Sequence, residues 1–140
     1  MKLIILFFFA SFLSYPQQSE LINIKITVTN IKDVKGDLII KIFNDPDSFP
    51  RKGKPFKVYS HKVTAKTVSV VLKDLEKGKY AISLYHDVNS DNECNMNFLG
   101  IPTESFGFSR NYNPKFSSPS FDDCYINANR DMSIAVELID

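Results

Sequence analysis

The chain has 140 residues, 44% of them hydrophobic, with 17 lysines and arginines against 16 aspartates and glutamates. That length holds a single domain with a core of its own. A near-zero net charge without a basic stripe argues against nucleic acid or anionic lipid as the main partner.

Met1-Lys2 followed by the apolar run Leu3 to Leu13 reads as an export signal, because the run is too short to cross a bilayer. Residues 1–18 are expected to be removed, with cleavage somewhere from Ser14 to Gln18. The alternative is an uncleaved anchor at a membrane surface. Removal takes Lys2 away and leaves a formally neutral domain over residues 19–140, periplasmic or extracellular and without a transmembrane segment.

Leu21 to Thr29 alternates apolar and polar residues with period two, as a half-buried strand does. Gly36 opens a second strand over Asp37 to Phe43. Asp45 to Phe49 offers a cap followed by proline at the first helical position, the signature of a short helical turn. Arg51 to Lys57 is a locally basic, solvated loop. Weaker strands follow over Val58 to Val63 and Thr67 to Leu72, and Lys77-Gly78 turns the chain into Tyr80 to Tyr85. Cys124 to Asn127 and Ser133 to Leu138 are expected to form a final hairpin. About seven short strands with turns between them predict an all-β, antiparallel sandwich of immunoglobulin or transthyretin type.

Oxygen-bearing side chains recur at alternate positions after the fifth strand, at Asp87, Asn89, Asp91 and Asn95. A tight loop can turn such a series toward one hard cation. The expected ligands of a structural Ca²⁺ are Asp87, Asn89, Asp91, the Glu93 carbonyl and Asn95, as in EF-hand positions one to nine. Phe98 stands where the bidentate glutamate of that motif belongs, so Glu104 is the expected substitute and the affinity is expected to be weak. The competing reading is an Asx-rich turn without metal.

The segment from Asn95 to Asp123 breaks the strand rhythm yet holds six aromatic residues. It predicts a satellite core under a long loop. Alternatively, Phe98, Phe106, Phe108 and Tyr112 form a platform for a sugar or another small ligand. The two cysteines, Cys94 and Cys124, follow no zinc-ligand spacing, with or without His61 and His86. In an exported chain they favour a disulfide. No nucleophile elbow, phosphate-cradling glycine loop or His-Glu-x-x-His helix is present. His86 and Asp87 are neighbours on a strand and point to opposite faces. A carboxylate pair from Glu104 with Asp122-Asp123 is the nearest approach to a glycosidase site. The expected function is therefore a non-catalytic exported domain, with an envelope protein or glycan as its partner.

Seven separated motifs resemble, in order, the exported bacterial proteins grouped as domain of unknown function 2141. They are Gly36 to Ile40, Asn44 to Pro50, Gly78 to Ile82, His86-Asp87, Asn97 to Glu104, Phe106 to Ser109 and Pro119 to Phe121. The resemblance covers about Leu21 to Leu138 and implies an exported β-sandwich without an assigned reaction. The stretch from Asp74 to Tyr80 is also similar to transthyretin-like sandwich domains. Members of the first family carry an acidic loop with glycine where Asn92 stands here and aspartate where Asn95 stands. Asparagine tolerates the left-handed conformation such a turn needs. Cys94 and Cys124 replace small or aliphatic residues of the family pattern, which implies that they arose as a bonded pair.

Overall fold

A computed structural model describes residues 20–50 and 54–140. The expected export signal and its cleavage site lie outside the described residues. Eight strands are present among those residues: β1 (Leu21–Thr29), β2 (Asp37–Phe43), β3 (Lys57–Lys62), β4 (Val68–Glu76), β5 (Gly78–Asp87), β6 (Phe106–Phe108), β7 (Ile126–Ala128) and β8 (Met132–Glu137). They form two sheets. One has the order β4-β1-β8, and the other β3-β2-β5-β6 with β7 pairing the start of β5. The fold is an all-β sandwich.

Alternation explains the packing of each sheet. In β1, Ile22, Ile24, Ile26 and Val28 face inward and are fully buried, as are Leu38, Ile40 and Ile42 of β2 and Ile82 and Leu84 of β5. The phase slips once, in β4. Leu72 pairs with Ile24 but Leu75 with Ile22, so the chain gains a residue opposite Asn23. Asp74 absorbs that bulge with a left-handed φ of 56°, which brings Leu75 back to the core. The expected helical turn is also present, over Pro46–Ser48, with the Asp45 carboxylate accepting from the Asp47 amide.

The expected C-terminal hairpin does not form. β7 pairs with β5, and β8 runs parallel to β1, from Ile24↔Met132 to Thr29↔Glu137. The intervening residues cross from one sheet to the other, which places Val136 and Leu138 in the space between the sheets. Beside β8, Phe106 and Ile139 exchange two backbone hydrogen bonds of 2.8 Å, so β6 ties the sheets together along one side.

The outer face of the second sheet is covered as well. Ala81 and Phe43 point away from the main core and carry a satellite cluster with Phe49, Phe121 and Cys124, onto which Phe108, Tyr112 and Tyr125 pack. Phe49 lies edge-on to Phe43, Phe108 and Phe121 at centroid separations of 5.2, 6.1 and 6.2 Å. The four-residue helix α1 (Phe121–Cys124) presents two of these side chains. Its start is fixed by a capping box between Ser120 and Asp123.

This arrangement overturns the expected Cys94–Cys124 disulfide, because the two thiols are not joined. Cys124 is sealed in the cluster beside Ala81, whereas Cys94 belongs to the loop beyond Asp87. Six residues of extended strand, on the order of 20 Å, separate Ala81 from Asp87.

Candidate functional site

The loop after β5 is a corner assembled almost entirely from side chains that bond backbone amides. Asp87 is fully buried, and its two carboxylate oxygens accept from the amides of Asp91 at 3.1 Å and Asn92 at 2.7 Å. The Asn89 side-chain oxygen also accepts from the Asp91 amide, and one Asp91 oxygen accepts from the Glu93 amide at 2.8 Å. The other Asp91 oxygen meets the side-chain amides of Asn89 at 2.8 Å and Asn95 at 3.0 Å. These contacts, with Asn95 first, hold the Asp91 carboxyl below the ordinary aspartate value.

Glu104 closes the corner from the next segment. One of its oxygens accepts from the Val88 amide at 3.1 Å and the other from the Asn95 amide at 3.2 Å, so a single side chain clamps both ends of the loop. Asn92 has φ of +65° and Ser90 of +59°. Asn92 thus adopts the left-handed conformation that glycine would supply, and the Tyr85 hydroxyl donates to its carbonyl at 2.9 Å. Burial first, then Asp87 and the other acidic neighbours, push the Tyr85 phenol up to about 12.

The corner is also tied to the start of β2. The His86 Nε2 lies 2.7 Å from the Lys35 carbonyl, and the Ser90 hydroxyl donates to Asp37 at 2.8 Å. That hydroxyl, more than Lys62, lowers the Asp37 carboxyl.

Of the expected calcium ligands, Asp87, Asn89, Asp91 and Asn95 therefore lie in one hydrogen-bonded turn. Glu93 contributes its amide to Asp91, and Glu104 stands across the loop. Among the described residues no group of three or more His, Cys, Asp or Glu side chains is arranged to hold a metal.

Neither the serines near the corner nor the carboxylates of Glu104 and Asp123 gather into a hydrolase-like set. Ser109 is buried, where its hydroxyl bonds the Ile82 amide and the Cys124 carbonyl. Ser105 donates to Asp140. Asp123 caps α1, at the opposite end of β5 from Glu104.

The four expected platform aromatics do not share an open face. Phe106 stacks edge-on against Phe108 at 5.8 Å, and Phe108 and Tyr112 belong to the satellite cluster. Phe98 stands apart, 95% exposed. It lies on a tight hairpin, not among the expected elements, in which Met96 bridges Pro102. The available signal was Asn97 and Gly100 set between apolar residues.

The chain matches the family model for domain of unknown function 2141, described as an uncharacterized protein conserved in bacteria, over residues 26–135. It belongs to that family. Comparison with curated proteins and with solved structures finds no match, and the likeness to transthyretin gains no support.

Proposed function

We propose that this protein is a non-catalytic exported domain with an accessory or ligand-binding role, in which the corner after β5 is a structural brace. The observation that carries this reading is the engagement of its acid–base groups. Asp87 and Glu104 each bond two backbone amides, and the His86 ring faces a carbonyl. Groups held in this way rigidify a loop and are poorly placed to exchange protons with a substrate. A screen with esterase, glycosidase and phosphatase substrates is expected to stay at background. Turnover that vanishes in a folded His86→Ala variant would overturn the reading.

Calcium as a structural ion in the same corner is favoured by one specific feature. The terminal groups of Asn89 and Asn95 both meet one Asp91 oxygen within 3.0 Å. A half-turn of both amides exchanges nitrogen for oxygen, gives up the bond from the Asp91 amide to Asn89, and leaves three oxygens converging. With few carboxylates, the affinity is that of an extracellular module, about 10⁻⁴–10⁻³ M. Calcium at 10 mM is then expected to add about 1–3 kcal/mol to stability. A melting temperature indifferent to calcium and chelator would leave the Asx-rich turn without metal.

A further inference from the structure

We propose that the hairpin tip from Met96 to Pro102 inserts into the interfacial layer of a zwitterionic lipid bilayer and holds the domain at a membrane surface. Met96, Phe98, Leu99 and Ile101 are exposed by 47, 95, 67 and 52%. Single exposed apolar residues are ordinary, but four within six consecutive positions form a patch. Phe98 and Leu99 are adjacent, so both faces of the turn are apolar. A protein groove covers one face of such a tip, whereas a fluid apolar layer covers both.

The backbone of the tip is prepared to leave water. The Asn97 amide donates to the Ile101 carbonyl and the Gly100 amide to the Asn97 carbonyl, each at 2.9 Å. The Asn97 side-chain oxygen accepts from the amides of Leu99 at 2.9 Å and Ile101 at 3.0 Å, and the Thr103 amide reaches the Asn95 carbonyl. Backbone entering lipid must bring its hydrogen-bond partners with it, and this turn largely does.

Charge selects the lipid. Cys94 to Thr103 carries no charged side chain, so no ion has to be desolvated. Around it, from Tyr80 to Ser109, the chain holds Asp87, Asp91, Glu93 and Glu104 but no lysine or arginine. Of these, Asp87 and Glu104 are buried on backbone amides, so the exposed Asp91 and Glu93 are the charges that disfavour anionic headgroups and suit the ammonium of phosphatidylethanolamine or phosphatidylcholine.

The chain contains no tryptophan, so Phe98→Trp in the full-length protein gives a single reporter. With phosphatidylcholine–phosphatidylethanolamine vesicles its emission is expected to shift to the blue and to be quenched by brominated acyl chains. Trp at Val71, an exposed site within β4, is expected to show neither effect. Adding Leu99→Asp should weaken partitioning by at least about tenfold, and a thermal melt checks that each variant is folded.

An unchanged Phe98→Trp spectrum would overturn the proposal, as would equal quenching at Val71→Trp or insensitivity to Leu99→Asp. Tighter binding to phosphatidylglycerol vesicles would overturn the choice of lipid. A concentration-dependent shift without vesicles, abolished by Leu99→Asp, would assign the tip to a second copy instead.

Discussion

Gly36 meets the carbonyl of Asp87 at the point where β5 gives way to its acidic loop. A Cβ on Gly36 would stand 2.1 Å from that oxygen and 2.8 Å from the Val88 Cα, and its φ is +70°. Both obstacles are backbone atoms, so no side chain can swing aside. The residues on either side are engaged with the same corner, Lys35 through His86 and Asp37 through Ser90. Gly36→Ala therefore combines left-handed strain with a clash, and is expected to destabilise the protein by about 2–4 kcal/mol in urea unfolding. Asn92→Gly, at a left-handed position with a carbonyl contact, is the matching control and is expected to stay within about 1 kcal/mol. A Gly36→Ala variant as stable as the parent would mean that the β2 and β5 ends can separate without loss.

Individual strands are legible in this chain where a buried face meets water on the other side. β1 begins and ends where its alternation does, β2 is the apolar run that Gly36 opens, and Asp45-Pro46 announces its turn. Partners are less legible. The alternation of Ser133 to Leu138 shows a strand, but its parallel partner lies more than a hundred residues away, and nothing local encodes that choice. β6 has three residues with glycine at its centre, too few for any period. Gly107 is there because a Cβ would come within 2.8 Å of Val136 Cγ1, a constraint visible only once β8 is in place. The acidic corner divides in the same way. The spacing of Asp87, Asn89 and Asp91 shows a turn rich in oxygens, while its closure at the Val88 and Asn95 amides depends on Glu104 arriving from a later segment. The pairing of the two cysteines rests on the export context and on the family resemblance, neither of which carries a distance, and β5 holds their surroundings apart.

Across the whole molecule the titratable groups lean one way at each end of the pH scale. Asp37, Asp91 and Asp123 are held below their ordinary value of 3.8 by hydroxyl and amide donors, led by Ser90, Asn95 and Ser120 respectively. Glu20 and Asp140 are lowered by Lys77 and Lys32 near the two ends of the described fold. A depressed carboxyl stabilises the native state fully above its unfolded value, and the contribution fades as pH falls through the folded one. At the other end, burial pushes the Cys124 thiol from 9.0 and the Tyr85 phenol from 10.0, each up to about 12, and raises Tyr59 and Tyr80 as well. A neutral acid with a raised pKa stabilises the native state below its unfolded value, and that contribution is lost as pH rises toward 12. Thermal melts from pH 3 to 11 should therefore show a plateau between about pH 5 and 9 with a fall on both sides. On the acid side the loss includes the corner, since Asp37 and Asp91 both belong to it. A melting temperature that rises as pH drops from 5 to 3 would mean that these carboxylates are not held as described.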